Sequence, residues 1–368
     1  MDSDKDSMLY VSFNQDNTAF AVGTERGYRI YSLQTPSLTY YERILDGGIG
    51  LIEMLYRSNI LVLVGGGKYP KYPQNKVILW DDNNGKIITE ITFNGYINNV
   101  KIKKERIVIV CDKTIYIFNL LNFQQIDTID VDTIENKKGL IAITYEPKVN
   151  LIAYPDKAIG YVRVKSYEKG EKYLLNAHDN ALCSLSFSKN GQLLATSSIE
   201  GKHLRLFRTD NAMFVYEFNT GSSRGEIFNM SFNNECTFLS ACASSGVVMV
   251  FNLKNANEKV VNGMNNANVV SSSNSNSNNN NGNGDDNLIK MPEQSIWSKL
   301  FTKGEGYFAE MYIPEKRSIA TFASGSYGKD RIVVIGAKGR FYMGRFDEKN
   351  GGVAYKEEDR SLGINLYE

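Results

Sequence analysis

The chain has 368 residues, more than one small domain needs and enough for two or three ordinary domains or one large repetitive one. Lys and Arg number 42 against 41 Asp and Glu, so the net charge is +1, without the basic excess of a nucleic-acid binder. The 42% of apolar residues can build a sizeable core, yet runs such as Asn59 to Val64 fall far short of the ~20 residues that cross a bilayer.

Residues 1–7, Met1-Asp2-Ser3-Asp4-Lys5-Asp6-Ser7, read as a polar tail with no secretory h-region, which implies a soluble chain in a cytosolic compartment. Strand patterns follow at once. Tyr10 to Phe13, Ala19 to Val22 and Tyr28 to Tyr31 are short, rich in β-branched and aromatic residues, and separated by Asn, Asp and Gly. Gly65-Gly66-Gly67 succeeds another such run, but Pro70 and Pro73 forbid the helix that a phosphate-binding loop requires. Further on, Leu182 to Phe187, Leu193 to Ser198 and His203 to Arg208 align with Phe228 to Phe232, Phe238 to Ala243 and Val247 to Phe251. Phe187 and Phe232 are 45 residues apart, and so are Gly201 and Gly246. A period of ~40–45 residues made of four short strands is the signature of a propeller blade.

A seventh unit runs from Arg331 to Gly336 and from Gly339 to Met343. Gly246 to Gly339 is 93 residues, 48 more than one period. The excess has a source in the Asn/Ser-rich tract from 254 to 295, which holds Ser271-Ser272-Ser273-Asn274 and Asn278-Asn279-Asn280-Asn281 and cannot bury a core. The predicted fold is therefore all-β: one seven-bladed propeller over residues 8–355, with 254–295 disordered within blade six and 356–368 set down as a tail, although Tyr355 to Glu368 could equally complete a blade. Trp297, Leu300 and Phe301 are expected to begin the first strand of blade seven.

Chemistry is thinly represented. Cys111, Cys183, Cys236 and Cys242 form no CxxC pair, and His178 and His203 are the two histidines, so neither a metal centre nor a disulfide framework is indicated. The sequence has no GxSxG, no P-loop and no GxGxxG after a strand. No catalysis and no cofactor are expected.

Several segments go beyond a generic propeller. The block from Leu63 through Gly65-Gly66-Gly67 and Pro70-Lys71-Tyr72-Pro73 to Leu79-Trp80-Asp81-Asp82 resembles the second blade of the PROPPINs, β-propellers that bind polyphosphoinositides in autophagy and endosomal traffic. Tyr154-Pro155-Asp156-Lys157 with Gly160 to Val164 is similar to that family's fourth blade. Ala177-His178-Asp179-Asn180, Leu194 to Ser198 and Leu204 to Phe207 resemble its fifth. Arg224 to Phe228 and Ile296 to Leu300 resemble its sixth and the start of its seventh. The resemblance implies two phosphate pockets on the rim of blades five and six, flanking a Phe-Arg-Arg-Gly motif with one arginine for each. It also implies a long sixth-blade loop that dips into the bilayer. Autophagy or endosomal partners, such as the lipid-transfer protein of the isolation membrane, would be gripped through the early blades near Gly65 to Asp82.

The departure falls on the motif itself. It aligns with Phe218-Asn219-Thr220-Gly221, where both arginines are gone. A guanidinium fork suits phosphate better than a neutral donor. At about 1.5–3 kcal/mol for each ionic hydrogen bond, the loss amounts to roughly two to four orders of magnitude in affinity. On the blade-five side His178, Thr196, Ser198 and Arg205 stand at family phosphate positions, although Glu200 replaces a usually basic residue, with Lys202 two positions on. On the blade-six side the corresponding residues are Cys242, Ala243, Val247 and Met249, which cannot hold phosphate.

Other readings stay open. His178 could cap a turn, Arg205 could be an outward strand residue between Leu204 and Leu206, and Arg224 is expected to bridge adjacent blades. Leu288, Ile289 and Met291 could be the tip of a membrane-dipping loop beside Lys290, or part of a solvated linker. Two functions follow: a scaffold at phosphatidylinositol 3-phosphate or 3,5-bisphosphate membranes with weakened lipid contact, peripherally associated with autophagic or endosomal membranes, or a protein-binding adaptor that has lost lipid recognition.

Overall fold

A computed structural model of the chain describes residues 6–34, 38–131, 136–221, 224–260, 288–290, 306–324 and 327–366. Its strands form seven sheets, each with four antiparallel strands taken in chain order, and this is the seven-bladed propeller that the period predicts. Blade five is typical: Leu182–Phe187, Leu193–Ser198, His203–Arg208 and Phe214–Asn219, from the axis outward.

Sequence dictates this radial order. The middle strands are apolar on both faces, because each sheet is covered by a neighbour on either side: Ile60–Gly65 and Phe238–Ala243 are almost wholly buried. Outer strands such as Thr39–Ile44 and Lys86–Thr92 face water and are largely polar. Seven apolar clusters fill the seven gaps between blades; that between blades four and five holds Ala153, Val162, Leu175, Leu185, Leu194 and Phe207. Burial of this kind is worth roughly 25 cal/mol per Å2 and holds the ring together without a central core.

Blade six carries the insertion between its third strand, Val247–Asn252, and its fourth, Ala309–Tyr312. The boundary expected at 254 shifts. Residues 254–260 form a short helix whose Ala256 and Val260 are buried against blades five and six. Leu288–Lys290 forms a strand that pairs in parallel with Lys172–Asn176, the outer strand of blade four. Leu288 and Ile289, for which both a membrane-dipping tip and a solvated linker stood open, are paired through the backbone at this sheet edge. Met291, Trp297, Leu300 and Phe301 lie outside the described residues, as does the rest of 261–305. Blade seven begins later than expected, with Ser318–Phe322 as its first strand.

The ends of the chain also differ from expectation. The first strand opens at Ser7, and the residues read as a tail from 356 instead complete the last blade: Tyr355–Ser361 is its outer strand. Beyond it Asn365–Leu366 pairs in parallel with blade one, Ser7 opposite Asn365 and Met8 opposite Leu366. Arg29 and Tyr31 of blade one both donate to the carbonyl of Leu362, at 3.0 and 3.2 Å. Both termini thereby close the ring.

Candidate functional site

Two strands and one connection position the blade-five residues. Thr196 and Ser198 lie on the second strand, Arg205 on the third, and His178 on the connection from blade four. Antiparallel register sets Thr196 opposite Arg205, and Arg205 opposite Glu217 of the outer strand. The structure therefore brings His178, Thr196 and Arg205 together. Their contacts, however, are to one another.

His178 is buried, and its Nε2 lies 2.9 Å from the Thr196 hydroxyl. Its backbone N–H donates to the carbonyl of Gly160 at 3.0 Å. A Cβ on Gly160, at φ +80°, would stand 1.7 Å from the His178 carbonyl oxygen, so glycine is required there for the two blades to meet. Burial first, and the Arg205 charge second, push the imidazole down to about 3. The ring is neutral at any physiological pH and offers phosphate no charge.

That depression makes a stability prediction. Below its ordinary value near 6.5 the unfolded chain takes up a proton that the folded state refuses, so stability falls as pH drops from about 6.5 towards 3. Between pH 7 and 5 His178 alone contributes a loss of roughly 2 kcal/mol. Urea denaturation of wild type and His178→Gln across that range measures it; equal pH slopes in the two proteins would refute it.

Arg205 is the cation of the group. Its Nε donates to Glu217 at 2.7 Å and an NH1 to the carbonyl of Ala177 at 2.7 Å. Glu217 also lies 3.3 Å from Nδ1 of His203. The family resemblance marked Arg205 as a candidate but gave no hint that a carboxylate faces it. The signal was the cross-strand register, which requires both strand boundaries to be known. Glu200 is held by Asn180 at 2.8 Å and Lys202 at 3.0 Å, so the two charges of that turn offset each other.

The motif segment divides in two. Phe218 is buried, with ring centroids 4.8 Å from Tyr216 and 5.0 Å from Phe251. Thr220 is fully buried, and its hydroxyl donates to the carbonyl of Gly201. Asn219 is exposed, and its Oδ1 accepts from the N–H of Gly221 at 2.8 Å. Gly221, at φ +87°, turns the chain into blade six. Cys242, Ala243, Val247 and Met249 are all buried in apolar contacts. Arg224 does not bridge adjacent blades as expected: it bonds Tyr307 at 2.9 Å and Glu310 at 3.0 Å, both at the outer edge of blade six.

The triple glycine has a packing role. A Cβ on Gly65 would stand 1.7 Å from the Tyr72 oxygen, and one on Gly66 would stand 2.4 Å from the Gly50 Cα, so the backbone itself is packed. The N–H of Lys68 donates to both oxygens of Glu25, at 3.0 and 3.1 Å, so that amide is engaged by a carboxylate of blade one. Trp80 donates to the Tyr28 hydroxyl at 3.0 Å, and Arg43 to an Asp82 carboxylate oxygen at 2.8 Å, tying blades one and two. All four cysteines are buried and free, and among the described residues no cluster of three metal-ligating side chains occurs.

The PROPPIN family profile matches residues 7–362. SVP1-like protein 2 of Neurospora crassa is 33% identical over 246 residues, 67% of this chain and 56% of that protein. Autophagy-related protein 18e of Arabidopsis thaliana is 27% identical over 347 residues, 94% of this chain and 85% of the relative. A solved complex of KlAtg21 with the coiled-coil of AgAtg16 shares the fold, with a TM-score of 0.70 at 18% identity over 97% of this chain and 99% of that one.

Proposed function

The chain belongs to the PROPPIN family of non-enzymatic β-propellers, and from that premise we propose a scaffold whose contact with phosphoinositide is weak and single-sited. It brings autophagy or endosomal proteins to membranes carrying phosphatidylinositol 3-phosphate or 3,5-bisphosphate. Lipid contact centres on His178, Thr196, Ser198 and Arg205. Protein partners engage the early blades near Gly65 to Asp82; the pairing of KlAtg21 with a coiled-coil favours partners of that kind. Attachment is peripheral, from the cytoplasm, and among the described residues no helix is long and apolar enough to cross a membrane.

One observation carries the weakness: the cation of the site is already bound to Glu217 at 2.7 Å. A phosphate must displace that carboxylate before it gains an ionic hydrogen bond. The second reading, an adaptor without lipid recognition, draws on Thr220, which is turned inward where the family has an arginine.

Flotation with vesicles, with and without 3-phosphorylated lipid, separates them. Wild type is expected to bind weakly, Arg205→Ala to lose that binding, and Glu217→Gln to gain about tenfold. Asn219→Arg/Thr220→Arg is expected to gain more. Tight wild-type binding that Arg205→Ala leaves intact would refute the site. No wild-type binding, with rescue in the arginine variant, would favour the adaptor.

A further inference from the structure

Along the propeller axis lies a cavity of about 360 Å3, walled by the inner strands of the blades. Its wall carries Lys101, Lys138 and Lys189 and no Asp or Glu. Two of these ammonium groups have carboxylates behind the wall: Lys101 binds Glu53 at 2.6 Å, and Lys138 lies 3.5 Å from Glu226. Lys189 is the exception. Its Nζ donates to the carbonyl of Gln15 at 2.9 Å, and among the described residues it forms no ion pair. Asp16 acts on it from a distance, its carboxylate accepting from the N–H and hydroxyl of Thr18, and Cys236 is the other titratable neighbour.

Burial pushes the Lys189 ammonium down to about 8, in spite of Asp16. An ammonium taken from water needs an anion or a full set of acceptors, and one carbonyl is neither. A second group of the wall is also incomplete. Asn99 donates to the Gly139 carbonyl at 2.8 Å, while its Oδ1 is buried with no partner. Such an acceptor calls for an O–H or N–H. The side chain of Gln15, the residue that receives Lys189, donates to Ile102, and Asn99 stands three residues earlier on the same strand. At the rise of a strand the two incomplete groups are about 10 Å apart along the axis.

We propose that the axial cavity binds a small phosphorylated polyol, with its phosphate against Lys189 and a hydroxyl donating to Oδ1 of Asn99. A phosphate monoester carries a charge of about −1.5 to −2 and suits a wall of ammonium groups without carboxylates. The separation selects the polyol: inorganic phosphate at Lys189 falls short of Asn99, whereas a hexose phosphate spans the interval. Ser184 and Ser186 of blade five line the same cavity and supply partners for further hydroxyls. The volume is at the small end of ligand sites, about 300–1,000 Å3, and leaves no room for acyl chains. The occupant is therefore a soluble metabolite and not a lipid.

Isothermal titration calorimetry of the intact protein at constant ionic strength tests this with glucose 6-phosphate, glucose and inorganic phosphate. Glucose 6-phosphate should bind roughly tenfold or more tighter than inorganic phosphate, and glucose should not bind below ~10 mM. Lys189→Met should weaken glucose 6-phosphate about tenfold or more, and Lys189→Arg should keep most of the affinity. Asn99→Leu should erase the advantage of glucose 6-phosphate over inorganic phosphate and leave the latter unchanged. Arg205→Ala should bind like wild type, which separates this cavity from the lipid site. On wild type alone, glucose 6-phosphate should slow acetylation of Lys189 by acetic anhydride, read by peptide mass spectrometry. Unslowed acetylation overturns the proposal whether or not the variants fold. So does equal affinity for the two phosphates, or binding that Lys189→Met leaves intact.

Discussion

Replacing Lys101 with methionine is expected to remove about 3–5 kcal/mol of folding free energy at pH 8, measured by urea denaturation. Lys101 lies on the inner strand of blade three and bonds Glu53 of blade two at 2.6 Å. Glu53 is buried and accepts also from the Tyr10 hydroxyl of blade one at 3.2 Å, so three inner strands meet at one carboxylate. Burial already pushes the Glu53 carboxyl above its ordinary value in spite of the ammonium beside it. Without Lys101 that carboxylate is uncompensated and holds its proton to still higher pH than in the unfolded chain. The folded state then binds more protons than the unfolded one, so stability of the variant falls as pH rises and recovers towards pH 5. Lys101→Met/Glu53→Gln should regain most of the loss, since no buried charge remains. A single variant within about 1 kcal/mol of wild type at every pH would show that the pair holds nothing.

The second large effect is at Phe218. Phe218→Ala should lose ~3–5 kcal/mol, because the ring is fully enclosed between Tyr216 and Phe251 and its removal leaves a cavity between blades five and six. The adjacent Asn219→Ala should stay within ~0.5 kcal/mol, since its side chain is exposed and bonds only the local turn. Urea midpoints of the two variants test the contrast. Similar midpoints would contradict the division of Phe218-Asn219-Thr220-Gly221 into a packed half and a surface half. That division gives the segment two structural residues, Phe218 filling a core and Gly221 sustaining a positive φ, whatever stands at the surface between them.

The parts of the molecule that the sequence reveals are those where packing writes a pattern. Leu193–Ser198 and Phe238–Ala243 are buried on both faces, so their residues must be apolar or small, and their spacing of 45 sets the blade period. Tyr355–Ser361 shows the opposite case. It pairs through its backbone with Arg340–Arg345 while its side chains, Lys356, Glu357, Glu358, Asp359 and Arg360, face water, so nothing in its composition marks a strand. The short helix at 254–260 escaped notice because two buried residues, Ala256 and Val260, carry its contact within a polar tract. The candidate site was legible as a set of positions and illegible as chemistry. Only the family resemblance grouped His178, Thr196, Ser198 and Arg205, and whether Arg205 is available depends on Glu217, twelve residues away and opposite it only through strand register. Glu53 and Lys101 were hidden in the same way, as ordinary charges in strands whose axial neighbours are set by the ring.

Closure of that ring has a consequence for how the protein is made. Phe20 and Tyr31 on blade one are covered by Phe341, Leu362 and Ile364, partners that lie more than three hundred residues later in the chain. At synthesis rates of roughly 5–20 residues per second, blade one waits on the order of tens of seconds with an aromatic face and an unpaired strand edge open to solvent. Each intermediate blade can dock on its predecessor as it emerges, but the seam cannot be sealed until the last strand leaves the ribosome. Loop closure of that length is slow, and an exposed edge in the interval is a template for association between nascent chains. The nascent protein therefore needs its first blade shielded, by a chaperone or by delayed folding, until the C-terminal strand arrives to cover it.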